Sequence, residues 1–272
     1  MRQIDPETVA FANRLADAAG QVIRPYFRQR IDVADKGAGK AGPGGADFDP
    51  VTAADRGAEE AQRAIIRRER PDDAILGEEF GATPGTSGRR WVLDPLDGTR
   101  AFIIGHHMWG TLIALEEDGQ RVLGIIDQPV LRERFIGYPG HAEVTSPEGT
   151  VPLKVRECAS LSEAVVTTTH PWSHFTGAER EGFERVAQAA RMSRFGGDCY
   201  AYALLAAGYI DLVIESGLRP WDVAALVPVI ENAGGIATDW KGERLGDTEV
   251  YNFIAAGDPR VHEEAVKLLN AK

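Results

Sequence analysis

Apolar residues recur along this chain with two different periods, and the change from one to the other marks out its elements. Between residues 6 and 29, Phe11, Leu15, Ala19, Val22, Ile23, Tyr26 and Phe27 form one helical stripe behind Pro6, which suits a first turn. Residues 54–69 predict a second helix, and Ala74-Ile75-Leu76 a short strand that delivers Gly77-Glu78-Glu79. Trp91-Val92-Leu93 reads as a buried strand that Pro95 ends, since proline has no N–H for the ladder. Segments 111–115, 123–126 and 134–136 alternate or run apolar between turn signals and predict antiparallel sheet. Past residue 145 the pattern alternates: strands at 165–169 and 212–214, helices at 178–191, 200–207, 223–233 and 261–269. The glycine-rich stretch 36–45 supports no regular structure and predicts a flap beside a site. The expectation is two abutting α/β halves, 1–145 and 146–272, with a cleft between them.

Composition narrows the classes. Hydrophobic content of 43% and charged content of 26% are those of an ordinary globular protein, and 272 residues suffice for substantial cores. A net charge of −11 argues against nucleic-acid or membrane-surface binding. Residues 1–6 lack the segments of a secretory leader, and the longest apolar run, 201–214, is interrupted by Gly208 and Asp211 and is too short to span a bilayer. Cys158 and Cys199 have no metal-ligand spacing, so a reducing cytoplasm is the expected compartment.

Candidate chemistry lies in the acids. Asp94 and Asp97 follow a core strand, where charge is costly, and no Lys or Arg stands between them. Glu78 and Asp222, in Trp221-Asp222-Val223-Ala224-Ala225, also sit at a strand end or helix start, positions that aim side chains at a common crevice. Four acids without matching bases suit Mg²⁺, a hard cation that shares its shell with phosphate and water. Two such ions about 4 Å apart would stabilise the attacking and leaving oxygens of a phosphoryl transfer. Gly98-Thr99-Arg100 opens a helix whose free N–H groups would face an anion. Taken singly, Asp222 reads as a helix N-cap, Asp94 or Asp97 as a turn residue, and Glu78-Glu79 as a solvated pair. Their combination outweighs those readings.

The motifs Asp49-Pro50-Val51-Thr52-Ala53-Ala54-Asp55, Gly77-Glu78-Glu79, Asp94-Pro95-Leu96-Asp97-Gly98-Thr99 and Trp221-Asp222-Val223-Ala224-Ala225 resemble those of the inositol monophosphatase-like family of Mg²⁺-dependent, Li⁺-sensitive phosphatases, over nearly the whole chain. The resemblance implies an α/β (α+β) fold, a layered αβαβα sandwich of the inositol monophosphatase/fructose-bisphosphatase type, and a homodimer. It implies two or three Mg²⁺ ions, with Mn²⁺ as a substitute, on Glu78, Asp94, Asp97, Asp222 and the Leu96 carbonyl. Thr99 and Glu78 would activate water, and Asp49 and Thr52 would hold Thr99 and that water. The glycine-rich insert before Asp49 departs from the family pattern and leaves the placement of Lys36 open.

Substrate choice rests on the C-terminal half. Asp198, in Gly197-Asp198-Cys199-Tyr200, reads equally as an N-cap and as a substrate contact, and Glu215 matches, by resemblance, an acid that touches the organic part of the substrate. Two acids there suit a cationic leaving alcohol. Histidinol phosphate fits, and the stretches 97–103, 109–115 and 126–129 look like the histidinol-phosphatase branch. Gly98, Thr99 and Arg100 complete the expected substrate set, Arg100 being either a charge at the phosphate entrance or a solvated surface residue. The expected reaction is histidinol phosphate hydrolysis in histidine synthesis. The alternatives are an inositol-1-monophosphatase, a broad sugar or nucleotide phosphatase, and, more remotely, a phosphate-binding regulator without turnover. In His170-Pro171-Trp172-Ser173-His174, Pro171 disfavours a helix, so a loop at the cleft mouth is expected there and no metal is assigned to the two histidines.

Overall fold

The computed structural model describes residues 3–35 and 50–271. Helix α1 (Pro6–Ile23) starts at Asp5, whose carboxylate accepts from the Thr8 N–H at 2.8 Å. It ends before the apolar stripe does. Pro25 has no N–H to return to the preceding turn, and residues 24–26 tighten into one 3₁₀ turn. A ribbon of β1 (Ala34–Asp35) and β2 (Pro50–Val51) precedes α2 (Ala53–Glu69). The expected flap, Lys36 and Asp49 lie outside the described residues.

The first sheet contains β3 (Ala74–Gly77), β4 (Gly81–Thr83), β5 (Arg89–Asp97), β6 (Gly110–Glu117), β7 (Gln120–Gln128), β8 (Glu133–Tyr138), β9 (His141–Ser146) and β10 (Gly149–Pro152). Their order is β10-β9-β8-β7-β6-β5-β3-β4, antiparallel except for β3 beside β5. Helix α3 (Thr99–Ile103) connects β5 to β6. The second sheet has the order β12-β11-β13-β15-β14, from β11 (Val165–Thr168), β12 (Met192–Phe195), β13 (Leu212–Leu218), β14 (Ile236–Asp239) and β15 (Tyr251–Ala256). Here β11 runs parallel to both neighbours, and β15 runs antiparallel to β13 and β14. Between these strands lie α4 (Pro171–His174), α5 (Gly177–Ala189), α6 (Asp198–Ala206), α7 (Pro220–Ala224) and α8 (Leu226–Asn232), and α9 (Pro259–Leu269) follows.

The period of two sorts the strands' side chains into three layers of core. Leu93 and Ile113 face α1 and α2, packing with Phe11, Leu15, Ile66 and Trp91. Their neighbours Val92, Leu112 and Ala114 point to the opposite face and join α6, α8, Val213 and Phe253 in a core between the two sheets. On β13, Leu212 and Ile214 turn outward to α5 and α9, meeting Phe183, Val186, Val261 and Leu269. The result is the expected α-β-α-β-α layering. Among the described residues, no helix is long and apolar enough to cross a membrane.

Two expectations at prolines fail for identifiable reasons. Strand β5 does not end at Pro95, because a bulge accommodates the missing N–H. The helix expected at 223–233 is two helices, and Pro228 lacks the N–H that would have bonded to Ala224 in a continuous one.

Candidate active site

The bulge in β5 does more than tolerate a proline. Asp94 pairs with Leu112 and Asp97 with Gly110, so Pro95 and Leu96 together stand opposite Thr111. The Pro95 carbonyl accepts from the Thr111 hydroxyl at 2.8 Å, and the Leu96 N–H donates to Asp94 Oδ1 at 3.1 Å. This local shift lets Asp94 and Asp97 present oxygens to one place. Asp222 arrives there from the first turn of α7, where its Oδ2 accepts from the Arg219 N–H at 2.7 Å. Asp222 is thus not the N-cap but the third helical residue, bonded back to the cap. Carboxylate oxygens of Asp94, Asp97 and Asp222 all lie within 4.8 Å of one another. Glu78 adjoins them: its N–H extends the β3–β5 pairing to the Leu93 carbonyl at 3.1 Å, and its carboxylate is hydrogen-bonded to Asp94.

Electrostatics follow from this crowding. Burial first, and then the neighbouring charges of Glu78, Asp97 and Asp222, push the Asp94 carboxyl well above the usual carboxylate range. Asp222 is driven up in the same way by burial and by Asp97. Asp97 also rises with burial, opposed by hydrogen bonds from the Cys199 thiol and from the Cys199 N–H, which donates to its Oδ2 at 2.6 Å. An all-oxygen cluster strained by its own charge is what a hard divalent cation would relieve, so the residues present fit such an ion.

Beside the acids, the Thr99 hydroxyl lies 3.0 Å from the Leu96 carbonyl and 3.2 Å from Asp55 Oδ1. Thr52 stands one link further out. It does not touch Thr99 directly; its N–H and hydroxyl both donate to Asp55 Oδ2, at 2.9 and 2.5 Å, in a capping box at the start of α2. Asp55 therefore links Thr52 to Thr99. Gly98 takes the left-handed φ of 87° ahead of α3, and a Cβ there would meet the Met108 carbonyl at 3.0 Å.

A cavity of about 350 Å³ opens from the cluster, lined by Asp97 and Asp222 and also by Asp198, Glu215, His174 and Tyr202. Asp198 is the first residue of α6 with φ 42°; the N-cap is Gly197, and no side-chain cap bond forms. Its carboxyl is raised well above the ordinary range by burial, then by Asp97 and Glu215, and the Arg100 charge opposes the rise. Glu215 is 2% exposed and held firmly, accepting from the Thr169 N–H at 2.5 Å and the Thr168 hydroxyl at 3.2 Å. The expected loop at the cleft mouth is instead a short helix. Pro171 stands at its first position, where no N–H is needed, and His170 caps it by accepting from the Ser173 N–H at 3.1 Å. His174 reaches the cavity, its Nδ1 3.8 Å from Glu215.

Several contributors carried no motif. Glu59, fully buried on α2, accepts from the Glu79 N–H at 2.7 Å and pairs with Arg63 at 2.6 Å, shaping the turn that presents Glu78. A Cβ on Gly77 would lie 1.9 Å from Glu59 Oε1. The charged pair at i, i+4 on the buried side of α2 was the available signal. Tyr202 gave none, because only the tertiary fold brings it to the cavity, whereas His174 lies in the segment expected at the cleft mouth.

A family model described as the inositol monophosphatase family matches residues 5–272. The chain is 45% identical over 269 residues to the chloroplastic bifunctional phosphatase IMPL2 of Arabidopsis thaliana, covering 96% of this chain and 74% of that protein. It is 35% identical to a histidinol-phosphatase of Mycobacterium tuberculosis, covering 97% and 98% of the two. Among solved structures, an inositol monophosphatase from Zymomonas mobilis superposes with a TM-score of 0.85 at 41% identity, covering 99% of this chain and 100% of that one. Together with the acidic cluster and the layered fold, these likenesses establish that the chain belongs to the inositol monophosphatase family.

Proposed function

We propose that the chain is a Mg²⁺-dependent phosphomonoester hydrolase whose preferred substrate is L-histidinol phosphate. Glu78, Asp94, Asp97, Asp222 and the Leu96 carbonyl would hold the metal, which when bound supplies positive charge to the phosphoryl oxygens and to water. The chain's own groups do the positioning. The Thr99 hydroxyl, steadied by Asp55 and Leu96, orients a water for in-line attack on phosphorus, and Glu78 receives its proton. The phosphorus–oxygen bond to the alcohol breaks, and the alcohol departs after taking up a proton, leaving inorganic phosphate. Gly98 and Arg100 are assigned to the phosphate side by their place in sequence directly after Asp97, and Asp49 is assigned a supporting role by its motif alone.

The observation that carries the substrate reading is the presence of Asp198 and Glu215 in the cavity that also contains Asp97 and Asp222. Two further carboxylates favour a leaving alcohol that carries an ammonium and a ring N–H, as histidinol does. The likeness to proteins named histidinol-phosphatase supports this reading. An inositol-1-phosphatase is the second reading, favoured by the likeness to the Zymomonas mobilis structure. Phosphate release from L-histidinol phosphate, inositol 1-phosphate and a nucleotide 3′-phosphate, each with Mg²⁺, tests the choice. A preference for histidinol phosphate is expected, and a clear preference for inositol 1-phosphate would replace it with the second reading.

A further inference from the structure

Tyr202 stands on α6 one helical turn after Asp198 and is 3% exposed, its ring stacked on Phe253 with centroids 5.4 Å apart. Its hydroxyl is buried and has no hydrogen-bond partner among the described residues, yet the side chain borders the cavity that holds Asp97, Asp198, Glu215 and Asp222. A buried hydroxyl without a partner is costly, and a phenylalanine would fill the same space without that cost. Several other polar groups of the lining are already engaged. Glu215 accepts from Thr168 and Thr169, the Ser216 hydroxyl lies 2.8 Å from Glu179 and 3.0 Å from Asn252, and the Ser173 hydroxyl lies 2.7 Å from His170. The cavity is thus rich in carboxylate acceptors, with one phenolic donor held without a partner among them.

We propose that Tyr202 is a specificity residue that donates its hydroxyl hydrogen bond to an acceptor on the alcohol part of the substrate. On the histidinol phosphate reading that acceptor is the unprotonated imidazole nitrogen, while the carboxylates receive the ammonium and the ring N–H. For a polyol phosphate it is a hydroxyl oxygen. The inference rests on this cavity being the substrate site, and not on which ester is preferred.

The test is Tyr202→Phe in the full chain. With Mg²⁺, KM is compared on the ester the parent prefers and on phenyl phosphate, whose ring carries no acceptor. The variant is expected to raise KM on the preferred ester about tenfold, with a penalty on phenyl phosphate at least about threefold smaller. Without metal, the Tm of the variant is expected to equal or exceed that of the parent, because no bond is lost. The free alcohol product is expected to raise the Tm of the parent more than that of the variant. Equal penalties on the two esters would overturn the inference, as would a metal-free Tm several degrees below the parent's, which would give the hydroxyl a partner within the fold. A parent that prefers a polyol phosphate overturns the histidinol phosphate reading alone, and the same comparison is then made on the polyol ester. If the parent turns over no ester, the Tm shift with the free alcohol decides the role of Tyr202.

Discussion

Three carboxylates within 4.8 Å of one another cannot all be charged without cost, and that cost is measurable. Folding raises the proton affinity of Asp94, Asp97 and Asp222, so between the ordinary carboxylate range and their raised values the folded state binds more protons than the unfolded one. Stability therefore falls as pH rises through that window. Metal-free protein is expected to have a lower Tm at pH 8 than at pH 5.5, and saturating Mg²⁺ should remove most of the difference. Asp94→Asn should raise the metal-free Tm at pH 8 while abolishing turnover. A metal-free Tm that climbs steadily over this range would contradict the electrostatic account. Asp198 allows a cleaner test of substrate charge, because asparagine tolerates its φ of 42° and keeps its shape. Asp198→Asn is expected to lower kcat/KM on histidinol phosphate about 10- to 100-fold, the loss of one charge-assisted hydrogen bond, and to change inositol 1-phosphate far less. Equal losses on both esters would remove Asp198 from the recognition of the alcohol.

At the scale of elements, the site depends on short connections that the side-chain pattern shows only in part. The four acids were legible because they stand at strand ends or helix starts in motifs that are telling in combination, although each alone has an ordinary reading as a cap, a turn residue or a solvated side chain. Prolines were harder to read. Pro95 looked like a strand end, but the bulge it occupies is created by pairing to β6, which lies downstream in sequence. Pro171 looked like a helix breaker, but a first position makes the same ring harmless. Strands β9, β10, β12, β14 and β15 gave weak signals, being short, partly exposed or broken by small residues. The turn after β3 shows what such hidden dependence costs. Gly77 leaves room for the buried Glu59 carboxylate, which gathers the Glu79 and Phe80 N–H groups while it is paired with Arg63. Gly77→Ala places a carbon inside that carboxylate and is expected to destabilise the protein by about 1–3 kcal/mol. It should also weaken Mg²⁺ binding through displacement of Glu78. Urea unfolding and a Mg²⁺ titration of the variant check both effects, and wild-type values in both would mean that the turn is not set by Glu59.

Across the whole molecule, the acids come from segments more than a hundred residues apart, and their meeting depends on how closely α7 and α8 approach the first sheet. That approach is made possible by a row of small residues running across the strands. Ala114 on β6 pairs with Gly124 on β7, Gly124 with Gly137 on β8, and Gly137 with Ala142 on β9. Together they form a shallow trough on the face toward the second sheet. A Cβ on Gly124 would lie 2.0 Å from the Ala225 carbonyl oxygen, and one on Gly137 would lie 2.4 Å from that of Pro228, so helix backbone rests directly on the sheet. Ala225 is three residues from Asp222, which couples this packing to the acidic cluster. Gly124→Ala must lift the junction of α7 and α8 off the sheet, because the contact is backbone on backbone and no side chain can move aside. The expected result is a stability loss of about 1–3 kcal/mol together with weaker Mg²⁺ binding, although Gly124 is not one of the clustered acids. Gly119→Ala is the control, since glycine 119 also sits in the β6–β7 hairpin but a Cβ there meets nothing within 4 Å, and its φ of 76° adds only local strain. Measured by Mg²⁺ titration of Tm, the shift produced by the metal should shrink for Gly124→Ala and persist for Gly119→Ala. A Gly124→Ala protein that loses stability but keeps the full Mg²⁺ shift would show that Asp222 is positioned by its own helix turn rather than by the seat of that helix on the sheet.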